Sequence, residues 1–272
     1  MTVTAVMVKE LRVRSGAGMM DAKKALIESN GDMELAIDWL RTKGLSKAAK
    51  KSDRTAAEGL VCIKIKNGLA VAVEVNSETD FVAKNSEFQD LVETVTEKSL
   101  ECSSLTDLTN AKIEGKKVEN LLTEKISKIG ENLTIRRLNK LTGENLFVYM
   151  HNTVKPSMGK IGVIVKLSKN DSDFGKKLAM HIAAANPASL SETDLSPELI
   201  EKEKTILLEQ ARDSGKPEKI IENMVKGRIK KYFEEVTLLN QKFVLDQDFT
   251  VKEVADSNGL EILDFVRVEV GE

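Results

Sequence analysis

The strongest structural signal in the chain is the pair Asn67-Gly68, which predicts a tight turn. Asn-Gly is favoured in two-residue turns between antiparallel strands, because both turn positions need a positive φ angle. Apolar side chains occupy alternate positions on both sides of the pair, at Val61, Ile63, Ile65, Leu69, Val71, Val73 and Val75. The pattern predicts a β-hairpin, so the fold has to include an antiparallel sheet.

A carboxylate and an aromatic ring stand side by side just after this hairpin, at Asp80 and Phe81 in the run 79–85. A helical pattern begins at Phe88, so the two residues lie on a short connection. A large apolar side chain on a connection is hidden unless it has a function. We interpret Phe81 as a wedge that enters a partner protein. The local sequence alone favours the alternative, in which Asp80 caps a short helix and Phe81 fills the core.

One order of elements occurs twice along the chain: a hairpin, an acidic-aromatic pair, a helix and a returning strand. In the second copy the pair is Asp173 and Phe174, and Phe174 begins an apolar helical face, which favours a core position there. We predict an α+β fold with two related subdomains and antiparallel sheets. They cover residues 58–142, and residues 143–194 together with residues 236–272.

The first 45 residues predict a module of three short helices. Apolar residues recur at helical spacing in three segments, and the last helix is expected to end at Gly44. Such a short domain has a very small core, which indicates a docking module rather than an enzyme. Residues 46–57 are basic and rich in alanine, and predict a linker that is either a solvated helix or a flexible tether.

A highly charged insertion, residues 195–235, interrupts the second subdomain. Ser196 followed by Pro197 is typical of a helix start. Residues 214–217 predict a tight turn into a second helix. Two helices joined by a short turn lie antiparallel, so the insertion predicts a helical hairpin about 25 Å long at roughly 1.5 Å per residue.

Composition argues against several classes of partner. The formal net charge is −2 over 272 residues, which gives the whole chain no strong attraction to nucleic acid. No segment approaches the roughly 18 consecutive apolar residues of a membrane span, and no cleavage signature follows the start of the chain. The two cysteines do not make a disulfide framework, which is typical of a reducing compartment. We expect a cytoplasmic protein without a membrane partner.

Residues that commonly carry catalysis are scarce. His181 lies in an apolar helical segment, which favours a packed, hydrogen-bonded role, and His151 opens a loop. Neither Cys62 nor Cys102 has a base near it in the sequence, and no spacing typical of metal ligands occurs. We therefore predict no catalytic residue, no metal site and no cofactor.

Several short motifs, in order along the chain, resemble those of the bacterial elongation factor Ts family. Each is moderately specific, their joint order is highly specific, and the resemblance covers essentially the whole chain. The motifs are Leu11-Arg12 with residues 15–26, residues 74–76 with residues 79–85, and residues 129–132, 180–184, 214–217 and 227–228.

The resemblance implies a guanine nucleotide-exchange factor for the GTPase elongation factor Tu, bound as a heterodimer or in a higher assembly. It implies no catalysis of its own and no direct contact with nucleic acid. The implied fold has a ubiquitin-associated-like module, two α+β subdomains and a coiled-coil hairpin. By the resemblance, one segment intrudes near the partner's Mg²⁺ site and other residues contact the partner. The first group is Thr79, Asp80, Phe81 and Val82, and the second is Arg12, Met19, Met20 and His151.

Two departures from the family pattern and two other functions stay open at this point. The loop at residues 152–159 is longer than usual, and the chain ends where many relatives continue into a C-terminal helical module. One other function is an adaptor that binds a small ubiquitin-type domain through residues 3–44. The other is a nucleic-acid-binding protein that uses the basic linker, and it predicts steep salt dependence.

Overall fold

The computed structural model describes residues 3–212 and 217–272, apart from the side chains of Leu45 and Lys47. Residues 214–216 of the predicted turn lie outside the described residues. The chain begins with three helices, α1 (Ala5–Ser15), α2 (Met19–Glu28) and α3 (Met33–Ala49). Side chains cap two of them: Thr4 Oγ1 accepts from the Met7 N–H, and Asp32 Oδ1 accepts from the Leu35 N–H. Their small shared core includes Val8, Leu11, Ala22, Ala25, Leu26 and Ala36.

Helix α3 continues past Gly44 to Ala49, so the predicted helix end at Gly44 is wrong. A glycine inside a helix costs about 1 kcal/mol relative to alanine, but tertiary packing overrides this preference. Helix α3 packs along a later helix, α7 (Val118–Ile129), where Gly44 is buried beside Ser127. Residues 46–49, which the sequence assigns to the linker, are therefore helical.

The predicted hairpin is confirmed. Strands β1 (Glu58–Lys66) and β2 (Leu69–Ser77) pair antiparallel around the Asn67-Gly68 turn. Both turn residues have positive φ angles, 50° and 72°, as this type of turn requires.

A four-stranded sheet is built on this hairpin. Strand β5 (Thr134–Thr142) pairs antiparallel with β2. A short strand, β7 (Met158–Gly159), pairs antiparallel with β1 on the other edge. Between β2 and β5 the chain forms α4 (Asp80–Ala83), α5 (Ser86–Ser99), α6 (Leu105–Asn110), a small hairpin of β3 (Lys112–Ile113) and β4 (Lys116–Lys117), and then α7.

A second sheet is formed by the following part of the chain, in the order β11-β8-β6 and with antiparallel pairing throughout. Its strands are β6 (Leu146–His151), β8 (Ile161–Leu167) and β11 (Ile262–Glu269). Helix α8 (Ser172–Ala185) covers it, and Phe174 is buried in the core between them. The expected core position of Phe174 is thus confirmed. The expectation of an α+β fold with antiparallel sheets is also confirmed.

The insertion contains two long helices that pack against each other, α9 (Pro197–Arg212) and α10 (Glu218–Val236). A bridge between Ser189 and Thr237 brings the two ends of the insertion together at the second sheet. The chain then forms a small hairpin of β9 (Lys242–Phe243) and β10 (Asp246–Thr250), followed by α11 (Val251–Ser257). Within the described ranges, no helix is both long and apolar enough to cross a membrane.

Strand pairing and apolar packing both join the two sheets. Strand β7 follows β6 in the chain but pairs with β1 of the first sheet. A shared apolar cluster also lies between the sheets, and it includes Val61, Ile63, Ala70, Ala72, Leu141, Met150, Ile164 and Val268.

A buried carboxylate, Glu74 on β2, connects the first sheet to the end of the chain. Arg137 Nε on β5 donates to Glu74 Oε2 at 2.5 Å, and the Gly271 N–H donates to Glu74 Oε1 at 2.9 Å. Arg137 Nη2 also donates to the carbonyl oxygen of Glu269, at 2.6 Å. Because Glu74 is fully buried, its charge depends on these donors for stabilisation.

We expect Arg137→Ala to lower the free energy of unfolding by about 3–5 kcal/mol, because it leaves a buried carboxylate without its cation. Urea unfolding followed by circular dichroism measures this. The matched control is Lys116→Ala, which breaks an exposed ion pair with Glu124 and should cost about 0–1 kcal/mol. Equal effects of the two substitutions would contradict the role given to Glu74.

Candidate protein-binding site

Helix α4 is a single helical turn that directs Phe81 into solvent. Its inner residues, Val82 and Ala83, are buried in the core of the first sheet, and successive residues of a helix point about 100° apart. Phe81 is 78% exposed, so the core alternative for Phe81 is wrong. The predicted connection is a helical turn rather than a loop, and Thr79 is its N-cap residue.

The two exposed side chains of α4 interact with the same cation. Lys84 Nζ donates to Asp80 Oδ2 at 2.8 Å and lies 5.8 Å from the centre of the Phe81 ring. The hydrogen bond from Lys84 lowers the pKa of Asp80, and the positive charge of Lys160 contributes in the same direction. Asp80 is therefore ionised at neutral pH.

Glu131 holds the residues that lead into α4. Its Oε2 accepts from the backbone N–H groups of Glu78 at 3.1 Å and Thr79 at 3.0 Å, and its Oε1 accepts from Thr79 Oγ1 at 2.7 Å. Sequence analysis did not single out Glu131, except as part of the 129–132 motif. No local pattern pairs two residues that are 52 positions apart.

A second exposed apolar surface lies on the N-terminal helices. Met20 is 74% exposed and Met19 is 47% exposed, and both begin α2. Val13 on α1 is also largely exposed, next to the exposed Arg12 in sequence. Among the described residues, no hydrogen bond or ion pair joins Arg12, Met19 or Met20 to α4. Arg12, Met19 and Met20 thus stand on α1 and α2, whereas Asp80 and Phe81 stand on α4.

His151 is exposed at the end of β6, where its Nδ1 lies 3.1 Å from the hydroxyl of Tyr149. Its carbonyl oxygen accepts from the Lys160 N–H at 3.0 Å. The side chain of Lys160 in turn donates to Glu58, at the start of β1, and its charge acts on Asp80. Lys160 therefore interacts with both regions: its backbone bonds to His151 at the end of β6, and its positive charge acts on Asp80 of α4.

The other histidine, His181, is packed in the core as the sequence predicts. The Val244 N–H donates to His181 Nδ1 at 3.1 Å, so Nε2 carries the proton and donates to Gln241 Oε1 at 2.9 Å. Burial lowers the pKa of His181 below the usual 6.5, which keeps the ring neutral. Burial also raises the pKa of both thiols, Cys62 and Cys102, and this makes them poor nucleophiles.

We expect the neutral state of His181 to make stability depend on pH. The pKa is lower in the folded chain than in the unfolded chain, so this stabilisation is present above about pH 6.5 and is lost as the pH falls through the folded value. Unfolding free energies measured from pH 7.5 to 5 should fall more steeply for the parent than for His181→Gln. Identical slopes would contradict this assignment.

Among residues 3–212 and 217–272, no group of three or more histidine, cysteine or acidic side chains is arranged to hold a metal ion. An aromatic ring with an adjacent carboxylate stands on a braced turn, and methionines are exposed on a small helical module. Exposed apolar side chains on supported elements are typical of protein-binding surfaces.

Comparisons with known proteins place this chain in a family. Residues 78–272 match the profile described as Elongation factor TS. The chain is 60% identical over 272 residues to the Elongation factor Ts of Dinoroseobacter shibae, and the match covers all of this chain and 94% of that protein. It is 58% identical to the protein of the same name from Roseobacter denitrificans, with the same coverage. It is 57% identical to that from Paracoccus denitrificans, covering all of this chain and 93% of the relative. The chain belongs to the elongation factor Ts family.

Proposed function

We propose that the chain is a translation elongation factor that binds the GDP-bound GTPase elongation factor Tu and accelerates the release of GDP. The observation that carries the mechanism is the exposure of Phe81 on α4, whose inner face is buried. An exposed aromatic side chain on a rigid support loses little conformational entropy when it enters a partner. Membership in the elongation factor Ts family supports this choice of partner.

Phe81 and Asp80 act on the Mg²⁺ site of the partner. A GTPase holds GDP partly because Mg²⁺ neutralises phosphate charge and orders the surrounding loops. Insertion of Phe81 shifts the elements around the ion, and the negative charge of Asp80 accompanies it. Thr79 and Val82 complete the turn, Thr79 through its bonds to Glu131 and Val82 through its core contacts. The partner conformation that accepts this turn binds Mg²⁺ and GDP weakly.

Exchange follows from linkage and needs no bond to be made or broken by this chain. If the factor lowers the affinity of the partner for nucleotide, nucleotide lowers the affinity of the partner for the factor by the same ratio. GTP then loads the GTPase and releases the factor. The chain is therefore a nucleotide-exchange factor rather than an enzyme, and it uses no cofactor.

The remaining contacts hold the factor in place. The N-terminal module, residues 1–45, is ubiquitin-associated-like. It contacts the nucleotide domain of the partner through Arg12, Met19 and Met20. His151 presents the second subdomain to another domain of the same partner. Exposed methionines suit such a surface because their side chains adapt to the partner. The complex forms in the cytoplasm as a heterodimer or a higher assembly, and helices α9 and α10 of the insertion pair as a coiled coil.

Phe81→Ala should reduce the maximal acceleration of GDP release by on the order of 30-fold, the loss expected for a central aromatic contact. Stopped-flow release of a fluorescent GDP analogue from elongation factor Tu measures this. The matched control is Phe249→Ala, which removes a second exposed phenylalanine, on β10, and should keep most of the acceleration.

No acceleration by the folded parent protein would overturn the proposed function. It would favour an adaptor that uses the N-terminal module instead. Acceleration that is unchanged in Phe81→Ala would keep the exchange activity but contradict the wedge mechanism.

Met20→Ser should act on affinity rather than on the maximal rate. The factor concentration that gives half-maximal GDP release should rise by about 5- to 30-fold, because the substitution removes an exposed apolar contact on α2 and leaves α4 intact. The control is Leu199→Ser on α9, an exposed apolar residue outside the module that is 46% exposed, against 74% for Met20. A fall in the maximal rate at an unchanged half-maximal concentration would contradict this division of roles.

A further inference from the structure

We propose that Glu131 is a positioning residue for nucleotide exchange, because its carboxylate sets the orientation of α4 and therefore of Phe81. The inference rests on the proposed function, and it assigns a role to a residue that itself need not touch the partner. The reason begins with α4, which has four residues. Isolated helices shorter than about 12 residues are marginal in water, so contacts outside α4 must hold its shape.

Glu131 supplies three of those contacts at the entrance to α4. Its two oxygens together accept the N–H groups of Glu78 and Thr79 and the hydroxyl of Thr79. Hydrogen bonds to an ionised acceptor are roughly twice as strong as bonds between neutral groups. The hydroxyl of Thr79 is used in this way and makes no cap bond to α4 itself. The direction of the chain as it enters α4 is thus set by a side chain from another part of the fold.

The segment that carries Glu131 is itself held on several sides. Gly130 ends α7 with φ at 92°, a left-handed conformation that glycine adopts readily, and this turns the chain towards β2. The Asn132 N–H donates to Glu78 Oε1 at 2.6 Å, in return for the bond from the Glu78 N–H to Glu131. Asn132 Nδ2 donates to the Arg54 carbonyl oxygen at 2.8 Å, and Lys51 donates to the carbonyl oxygen of Gly130. Glu131 is therefore fixed to a rigid frame.

Loss of Glu131 should disturb the orientation of Phe81 but leave the fold of the chain intact. Val82 and Ala83 keep α4 attached to the core, so the fold remains. Without Glu131, the backbone N–H groups of Glu78 and Thr79 and the hydroxyl of Thr79 each lose an acceptor, and Phe81 then samples several directions. Misplacement of a functional group by about 1 Å can cost up to about 100-fold in rate, so exchange suffers more than stability does.

The test is a double-mutant cycle of Glu131→Ala and Phe81→Ala, read as the maximal rate of GDP release from elongation factor Tu. Glu131→Ala alone should lower that rate by on the order of 10-fold. In the Phe81→Ala background the same change should have an effect of less than about twofold, because no ring is left to orient. A residue that only stabilised the fold would lower both rates by the same factor.

Two further variants sharpen the cycle. Glu253→Ala is the matched control, because Glu253 accepts from the N–H and hydroxyl of Thr250, at 2.7 and 3.0 Å, at the start of α11. It should leave the rate unchanged. Glu131→Gln keeps the shape of the side chain but replaces one acceptor oxygen with an NH2 group. That group cannot accept from the N–H and O–H donors around it, so the variant should lower the rate as well. If Glu131→Ala does not fold, the cycle is run with Glu131→Gln.

The outcomes separate the two proposals. A rate for Glu131→Ala within twofold of the parent, or an equal loss in both backgrounds, overturns the positioning role while a defect in Phe81→Ala still supports the exchange mechanism. If Phe81→Ala matches the parent, the wedge mechanism fails and the positioning role fails with it.

Discussion

The carboxylate of Glu74 is fully buried, and donors from β2, from β5 and from the last residues of the chain converge on it. A buried charge is tolerated only when its hydrogen-bond partners are in place, so these three parts of the fold have to be brought together. Arg137 extends the link by its second bond, to the Glu269 carbonyl oxygen at the end of β11. The two sheets are consequently joined by a polar contact as well as by their shared apolar cluster.

The position of α4 depends on that frame. Strand β2 carries Glu74 and leads within a few residues to α4, so whatever fixes β2 also fixes where the turn begins. Glu131 then sets the direction of entry, and the buried Val82 and Ala83 set which side of the turn faces solvent. Phe81 is exposed because the opposite side of its helix, at Val82 and Ala83, is buried. The proposed insertion of Phe81 into a partner would need little ordering of the turn, because the support of the ring is rigid.

Local signals in the sequence were sufficient for the elements that local physics decides. The Asn67-Gly68 turn needs two positive φ angles, and this predicted the first hairpin correctly. The sequence could not decide between a core and a surface position for Phe81, because that depends on which side of α4 meets the sheet. Phe174, in the corresponding position of the second subdomain, is buried, so the acidic-aromatic pair alone does not indicate a wedge.

Gly44 was wrongly predicted to end α3, because the packing of α3 on α7 is a long-range contact. The pairing of β7 with β1 and the bond from Thr79 to Glu131 are long-range in the same sense. The family motifs indicated which residues matter but not how they are held.

The most direct test of the central claim, that Phe81 acts through the Mg²⁺ site of the partner, is to measure GDP release from elongation factor Tu at several free Mg²⁺ concentrations. The parent and Phe81→Ala are compared at saturating concentrations of the factor. If the ring acts by weakening Mg²⁺ coordination, the rate of the parent divided by that of Phe81→Ala should be large in millimolar Mg²⁺. The ratio should approach one when the ion is chelated, because chelation removes the ion that the ring would otherwise displace. A ratio that stays large without Mg²⁺ would contradict the account and would move the action of Phe81 to the nucleotide itself.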